Sequence, residues 1–209
     1  ERLRRHFGGA PPQTRALVAE CTEAIITEVD ALKGLVDQFA EFARLRAPRV
    51  SAQDINRVID SAIQLYAGVL VPGGVRVVRR FDPNIPPVAI DGEQIRQVII
   101  NLIDNAIEAF GGPAAGARPD GTPPEIRIAT MLLAERETVR ITVGDNGPGL
   151  APGDRDKLFM PYYSTKGRGS GLGLAIVQRF IAEHGGGIQV ESQQPHGTLF
   201  TIDLPCPRS

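Results

Sequence analysis

Four short motifs between Asn101 and Leu174 contain the residue types that a site for magnesium and a nucleotide needs. In chain order they read NLIDNAIEA, DNGPG, LFMPYYSTK and GRGSGLGL. Each offers a different part of such a site: a metal ligand, a reader of the base, a mobile lid and a cradle for phosphates. Any one of them alone is weak evidence, so the prediction depends on their order along one chain.

The first motif places polar side chains on one face of a helix. Asn101, Asn105 and Glu108 are spaced i, i+4 and i+7, whereas the opposite face is apolar. An asparagine carbonyl is a neutral hard ligand that suits Mg²⁺ once phosphate oxygens supply negative charge. The alternative is a solvated helix face, although asparagine has only modest helix propensity. On this motif alone both interpretations stay open.

The second motif places Asp145 at the end of a predicted strand, followed by Gly147 and Gly149. An ionised carboxylate only accepts hydrogen bonds, so it would accept one from the exocyclic amine of adenine and repel the guanine carbonyl. The glycines allow the backbone to approach a flat ring closely. An ordinary Asp-Asn-Gly turn is the alternative, and this motif alone favours it.

The last motif has glycines at alternate positions, from Gly167 to Gly173, and runs into an apolar helix. Such a loop turns successive amides and a helix N-terminus towards phosphate oxygens. It matches neither GxxxxGK[ST] nor GxGxxG, because Leu174 takes the place of the third glycine. A flexible linker is disfavoured because LGLAIV continues at once into a packed helix.

The third motif lies between the two glycine segments and resembles a lid. Phe159 can cover apolar surface, and Lys166 and Arg168 can swing onto phosphates when the lid closes. Arg155 and Lys157 are weaker candidates, which we expect to be solvated charges.

An α+β two-layer sandwich, with helices to one side of a mostly antiparallel sheet, is predicted to position these motifs. Ser51 with Asp54 predicts a capped helix start, and Asp91 caps the helix of the first motif. A further helix is predicted from Leu172 to His184. The alternating segments that predict strands are 75–81, 125–133, 139–144, 188–192 and 198–204.

The segment before Ser51 predicts a separate helical unit. A helix is expected from Thr14 to Ala47, ending at Pro48. Its apolar seam repeats every four and three residues, which is a heptad pattern. Leu35 and Phe42 widen the apolar stripe beyond a two-stranded seam, which favours a four-helix bundle formed by two chains. The alternative is packing on its own domain. The members of the seam are Ile25, Val29, Leu32, Val36, Phe39 and Ala43.

Composition narrows the class of protein. Lys and Arg number 23 against 24 Asp and Glu, so the charge balance gives no support for a nucleic-acid or anionic-membrane surface. The two cysteines are far apart, which argues against a disulfide framework or zinc site and fits a reducing compartment. No apolar run approaches the roughly 20 residues that span a bilayer. Because the chain opens on Glu1 within a helix-like run, we expect an excised fragment.

In this order the motifs resemble the asparagine, first glycine, phenylalanine and second glycine boxes of bacterial sensor histidine kinases. Their catalytic domain shares an ATPase superfamily with heat-shock chaperones, type II topoisomerases and mismatch-repair ATPases. The resemblance covers nearly the whole chain. Three segments are most similar to NtrY-type nitrogen-regulation sensors: ERLRRHFGG, FAEFARL and LFMPYYSTKGRGSGLGLAIV.

The resemblance implies a site for ATP and Mg²⁺, with catalytic roles for Asn101, Asn105 and Lys166. Asn105 would be the Mg²⁺ ligand and Asn101 its neighbour near the phosphates. Asp145 would read adenine, supported by Thr198. The implied nucleotide-binding residues are Asp145, Gly147, Gly149, Phe159, Lys166, Arg168, Gly169, Gly171, Leu172, Gly173 and Thr198.

The resemblance also implies a division into domains. Residues 1–47 would be part of a dimerisation and phosphotransfer hairpin, and residues 51–209 would be the catalytic domain. Two departures stand out. Glu108 lies where many members have Lys, Arg or Tyr, and the phosphoacceptor box is missing, since His6 is followed by Phe7 and Gly8. We expect the acceptor histidine upstream of Glu1.

The function implied is a kinase core that transfers the γ-phosphoryl of ATP to a histidine, and then to an aspartate of a response regulator. The implied partners are a second copy of the chain and a receiver domain, without nucleic acid or membrane contact by this fragment. We expect the cytoplasmic part of an inner-membrane sensor. The alternatives are a related ATP hydrolase, which would carry a glutamate base where this chain has Asn101, a serine kinase, and a non-catalytic nucleotide-sensing dimerisation module.

Overall fold

The computed structural model describes residues 11, 13–14, 16–27, 29, 46–66, 68, 74–111, 121–163, 171–193 and 196–206. The chain divides into two compact units, Glu1–Leu45 and Arg46–Ser209. In the first unit, residues 13–14, 16–27 and 29 are helical, and Ile25 and Val29 of the predicted seam are exposed. The other four seam positions lie outside the described residues, so dimerisation through this helix stays a prediction.

The prediction that the first helix runs to Ala47 is wrong. Arg46 and Ala47 are not helical, and the chain stays irregular until Ser51. Proline clashes with a helical residue directly before it, so Pro48 already disfavours helix at Ala47.

The second unit is built on a five-stranded sheet with the strand order β2-β4-β5-β7-β6. β2 pairs in parallel with β4, and the other three pairings are antiparallel. The strands are β1 (Ser51–Gln53), β2 (Arg76–Arg80), β3 (Val88–Ile90), β4 (Glu125–Leu133), β5 (Thr138–Asp145), β6 (Gly187–Ser192) and β7 (Thr198–Pro205). The helices of this unit are α1 (Ile55–Leu65), α2 (Gly92–Ala109) and α3 (Gly173–Glu183), with a 3-10 turn at Ala134–Arg136.

A small second sheet corrects one prediction about α1. β1 pairs antiparallel with β3, so Ser51 is a strand residue and does not begin a helix. The N-cap of α1 is Asp54, whose carboxylate accepts hydrogen bonds from the backbone amides of Asn56 and Arg57. Aspartate is among the preferred N-cap residues because its oxygen satisfies amides that lack a partner in the first turn.

The core lies between one face of the large sheet and the helices. α2 contributes a continuous buried face, which includes Ile95, Val98, Ile99, Leu102 and Ile103. Alternation along the strands supplies the opposite surface, and residues that pair across strands share a face. The inward row of β5 is Val139, Ile141, Val143 and Asp145, and that of β7 is Thr198, Phe200, Ile202 and Leu204. This arrangement confirms the predicted α+β class.

The N-terminus of α2 is tied to two distant segments. Asp91 caps the helix through Oδ1, which accepts from the amides of Glu93 and Gln94, while Oδ2 accepts from the amide of Arg49 at 2.7 Å. Desolvation acts to raise the pKa of Asp91, but the hydrogen bonds from these three amides outweigh it and hold the pKa below its usual value. His184, just past α3, accepts from the Asp91 amide through Nε2.

Within the described part of the chain, no helix is long and apolar enough to cross a membrane.

Candidate nucleotide site

Strand alternation carries Asp145 into the interior. It is the last inward residue of β5, after three buried aliphatic residues, and only 5% of its surface is exposed. Its Oδ1 accepts a hydrogen bond from the amide of Gly147 at 2.7 Å and another from the amide of Thr198 at 3.3 Å. Two backbone donors stabilise the charge of a carboxylate that would otherwise be costly to bury. The structure therefore brings Asp145, Gly147 and Thr198 together.

A glycine that the sequence analysis missed lies at the centre of this arrangement. Gly197 has φ +126°, and a Cβ there would lie 2.2 Å from the backbone oxygen of Asp145. Gly149 has φ +80°, and its own Cβ would lie 3.1 Å from the oxygen of Gly197. Only residues without a side chain allow these two turns to pack against each other. The signal in the sequence was the glycine directly before Thr198.

The second residue of the DNGPG motif holds the turn to the neighbouring strand. Asn146 accepts a hydrogen bond from the amide of Glu125 through Oδ1 and donates one to the carbonyl of Pro123 through Nδ2. On the other side of the loop, the amide of Leu150 donates to Oγ of Ser192 at 3.1 Å. The loop after Asp145 is thus attached to both of its flanks.

The asparagine helix α2 connects the turn after Asp145 to the N-terminus of α3. A Cβ at Gly147 would lie 3.3 Å from the Cβ of Ala109, at the C-terminal end of the helix. Two turns earlier, Nδ2 of Asn101 donates to the carbonyl of Gly173 at 3.2 Å. The two contacts are about 12 Å apart along the helix. Asn101 also accepts from Nε2 of Gln97 through Oδ1.

Asn105 lies between these two contacts and has an amide without a partner. The residue is half-buried, and its Nδ2 is shielded from solvent without a hydrogen-bond acceptor. A primary amide in this state can turn to present its oxygen to a cation or its nitrogen to a phosphate oxygen. No group of three or more His, Cys, Asp or Glu side chains suited to a metal occurs among the described residues. A magnesium ion here would therefore take most of its ligands from phosphates and water. Glu108 is exposed.

The N-terminus of α3 faces α2 and is not capped by a side chain. Leu172 is the N-cap residue, with its side chain buried, and Gly173 begins the helix next to Asn101. The amide of Ile176 makes the first intrahelical bond, to the carbonyl of Leu172. Helix N-termini with amides left over are common anion sites.

A backbone hydrogen bond joins Tyr162 to Gly171, two residues before the start of α3. The amide of Tyr162 donates to the carbonyl of Gly171 at 3.0 Å, and both residues have positive φ, +65° and +66°. A Cβ at Gly171 would lie 2.6 Å from the carbonyl carbon of Tyr162. Tyr163 donates its hydroxyl to Asp154, and that hydrogen bond raises the pKa of the phenol.

Phe159 lines a shallow groove of about 450 Å³ together with Met160, Gln178 of α3 and Val190 of β6. Asp145 is not among the residues that line the groove beside Phe159. Lys166, Arg168 and Gly169, together with Gly167, lie outside the described residues, so their predicted contacts with phosphates stay predictions.

Comparison with known proteins places this geometry in a family. The family described as "Histidine kinase-, DNA gyrase B-, and HSP90-like ATPase" matches residues 90–208. This chain belongs to that family. The matched range runs from the cap of α2 to the end of β7, so it contains the Asp145 cluster and both contacts of the asparagine helix.

The relatives are sensor histidine kinases of nitrogen regulation. The nitrogen regulation protein NtrY of Azorhizobium caulinodans is 36% identical over 200 residues, which cover 94% of this chain and 24% of NtrY. The sensory histidine kinase/phosphatase NtrB of Escherichia coli O157:H7 is 37% identical over 186 residues, which cover 89% of this chain and 52% of NtrB. The chain thus spans about half the length of NtrB and about a quarter of NtrY.

Solved structures show the same fold. The catalytic domain of histidine kinase ThkA superposes with a TM-score of 0.65 at 29% identity, covering 76% of this chain and 96% of that domain. Full-length ShkA in complex with AMPPNP superposes with a TM-score of 0.72 at 25% identity, covering 95% of this chain and 40% of ShkA. Both the suspected family and the nitrogen-regulation relatives are confirmed.

Proposed function

We propose that the second unit binds Mg·ATP between α2, the Asp145 loop and the N-terminus of α3, as the catalytic part of a sensor histidine kinase. The observation that carries this proposal is the buried Asp145 carboxylate, held by two backbone amides beside three close-packed glycines. A carboxylate in that position selects a ring that offers a hydrogen-bond donor, as adenine does with its 6-amine.

Each described residue then has a role that its surroundings support. Asp145 accepts from adenine, and the close-packed turns at Gly149 and Gly197 hold the backbone around it in place. Asn105, with its unpartnered amide, would hold the Mg²⁺, which neutralises charge on the phosphates. The uncapped N-terminus of α3 would face those phosphates. The protein contributes mainly position and electrostatic stabilisation to phosphoryl transfer.

The local contacts of Asn101 argue against a hydrolase. Its amide donates to Gly173 and accepts from Gln97, and an amide has no basicity with which to take a proton from water. We therefore propose that the phosphoryl group goes to a histidine on the dimerisation helices of the parent protein and then to an aspartate of a receiver domain. The histidine kinase ThkA has been solved in complex with the response regulator TrrA, which supports this kind of partner.

The test has two stages. The 209-residue chain is titrated with Mg·ATP by calorimetry and incubated with γ-labelled ATP; we expect binding without acid-labile label on the chain. The same incubation then uses the natural chain extended upstream by one helix length, where we expect an acid-labile, base-stable label.

The outcomes separate the alternatives. Acid-labile label on the 209-residue chain itself would show that an acceptor lies within it. Rapid ATP turnover without any protein label would favour the hydrolase. Binding with neither reaction in the extended chain would favour a nucleotide-sensing module.

A further inference from the structure

Asn146 follows Asp145 directly, and its side chain holds the turn after Asp145 to the neighbouring strand, β4. Its side chain is half-buried, and both ends of its amide are used: Oδ1 accepts from the Glu125 amide at 2.8 Å, and Nδ2 donates to the Pro123 carbonyl at 3.0 Å. The backbone amide of Asn146 also donates to the carbonyl of Glu125 at 3.2 Å.

These contacts lie where the backbone pairing of β4 with β5 ends. The register of β4 with β5 ends at the pair Ile126 and Asp145. At the next pair, Glu125 and Asn146, the backbone makes one bond, from the Asn146 amide to the Glu125 carbonyl, before the chain turns at Gly147. The side-chain amide of asparagine carries the same donor and acceptor as a peptide group. Oδ1 of Asn146 therefore takes the place of a backbone carbonyl for the Glu125 amide, and Nδ2 keeps Pro123 against the turn.

The two side-chain hydrogen bonds of Asn146 affect the orientation of the Asp145 carboxylate. The amide that donates to Oδ1 of Asp145 at 2.7 Å belongs to Gly147, the residue after Asn146. The direction of that amide depends on how the backbone of Asn146 is held. Losing these side-chain contacts frees the peptide between Asn146 and Gly147, and with it the Gly147 donor that helps to orient the carboxylate.

We propose that Asn146 is a positioning residue for base recognition: it acts through Gly147 on the Asp145 carboxylate and so sharpens the selection of adenine. This inference rests on the proposed function, in which Asp145 reads the 6-amine. It concerns only this side chain and its two strand contacts.

The readout is selectivity, which a purely structural role of Asn146 would leave unchanged. Purine riboside triphosphate carries hydrogen in place of the 6-amine, so the ratio of its dissociation constant to that of ATP reports the Asp145 contact alone. One hydrogen bond to a charged group predicts a ratio of at least about 10 in the wild-type chain. A general loosening of the fold weakens both nucleotides together and leaves the ratio in place.

The experiment measures both nucleotides, with Mg²⁺, on the whole chain and on Asn146→Ala and Asn146→Ser, neither of which can span the two contacts. We expect ATP affinity to fall about tenfold while riboside affinity changes less than about twofold, so that the ratio approaches one. Asn146→Asp keeps the acceptor for Glu125, and we expect it to retain most of the ratio, because its added charge repels both triphosphates equally.

Asn56 supplies a matched control at the far end of the sheet. It also uses both ends of its amide, donating to the carbonyl of Asp82 and accepting from the hydroxyl of Thr130. Thr130 is four residues along β4 from Ile126, about 13 Å away. We expect Asn56→Ala to lower the melting temperature by a similar amount and to leave the nucleotide ratio unchanged.

The results distinguish the two levels of inference. A wild-type ratio near one overturns adenine recognition by Asp145 and this inference with it. A wild-type ratio of ten or more that persists in folded Asn146→Ala or Asn146→Ser overturns the positioning role and leaves the proposed function standing. Loss of the ratio in Asn56→Ala would also overturn it, by showing that any equivalent defect has the same effect.

Discussion

At the scale of single residues, a carboxylate at the end of an apolar row is costly unless specific groups stabilise it. Asp145 is buried to the same degree as the aliphatic residues before it in β5, yet it keeps two backbone donors. Replacing water around an ionised group with only a few donors costs several kcal/mol. A residue placed in this way is more readily explained by a ligand that needs an acceptor than by stability.

The first prediction concerns Asp145→Asn. The amide keeps one oxygen for the Gly147 and Thr198 donors, but it opposes the 6-amine of adenine with a second donor. We expect the fold to be retained and ATP affinity to fall at least about 100-fold, since a hydrogen bond to a charged group is worth about 1.5–3 kcal/mol and a repulsive contact adds to that. Calorimetric titration measures the affinity.

Asp82→Asn is the control for loss of a charge. Asp82 also accepts from backbone amides, those of Asn84 and Leu132, and these bonds lower its pKa. It lies beside β4 at the opposite end from Asp145, so we expect unchanged ATP affinity. Unchanged affinity in Asp145→Asn itself would remove Asp145 from the site.

The second prediction concerns Gly197→Ala. A Cβ at this position would lie 2.2 Å from the Asp145 oxygen, in addition to the cost of φ +126° for a residue with a side chain. We expect the variant to lose about 1–3 kcal/mol more than Gly74→Ala, because overpacking adds to the backbone penalty. Urea unfolding gives both values.

Gly74 is the matched position because it has φ +67° with open space where a Cβ would be. Its substitution therefore reports the backbone penalty alone, about 1–2 kcal/mol. Equal losses in the two variants would show that the turn at Gly197 relaxes away from Asp145.

At the scale of elements, the N-terminus of α2 anchors the first residues of the second unit. Arg49 donates its amide to Oδ2 of Asp91, and Nε2 of Gln94 donates to the carbonyl of Arg46. The same helix carries Asn101 and Asn105 in its later turns. The start of the second unit is thus attached to the helix that the nucleotide is proposed to touch.

The third prediction tests this anchor with Asp91→Ser. Serine is also a good N-cap, but its single oxygen cannot serve both the helix and Arg49. We expect amide hydrogen exchange at Arg49 to rise about tenfold or more, while α2 stays protected.

The pKa of Asp91 is held below its usual value, so the stability that the Asp91 carboxylate contributes is complete above pH ~4. That stability is lost as the pH falls through the pKa of Asp91 in the folded chain.

Asp54→Ser is the matched control, because Asp54 caps α1 in the same way and has no contact with Arg49 among its hydrogen bonds. We expect unchanged exchange at Arg49 in this variant. The anchor would be contradicted if both variants accelerated that exchange equally, or if neither did.

The elements also show what could be read from the sequence. Long alternating segments and the periodic face of α2 predicted five strands and the main helices, because burial of one face dictates those patterns. β1 and β3 were missed, since three-residue strands are too short to show alternation. The parallel pairing of β2 with β4 depends on contacts between segments far apart in sequence, which alternation does not encode. Gly197 and Asn146 were missed because their importance lies in what they pack against.

At the scale of the whole molecule, the described hydrophobic core lies entirely in the second unit. Every buried apolar residue found falls between Ile55 and Cys206, and the contacts of the candidate site come from the same range. The family match over residues 90–208 confirms the family to which the motif order pointed. The helical hairpin and the lid residues Lys166 and Arg168 remain predictions.

The fourth prediction follows from this division: residues 46–209 alone should fold and bind Mg·ATP like the 209-residue chain. The shortened chain keeps the Arg46 and Arg49 contacts with α2 and all of the buried core. The isolated catalytic domain of ThkA, which matches 76% of this chain, shows that a relative of this size forms a fold by itself. We expect dissociation constants within about twofold and an equal rise in melting temperature at equal saturation, since ligand stabilisation depends only on concentration and affinity. A loss of affinity beyond about tenfold would mean that the first unit completes the nucleotide site.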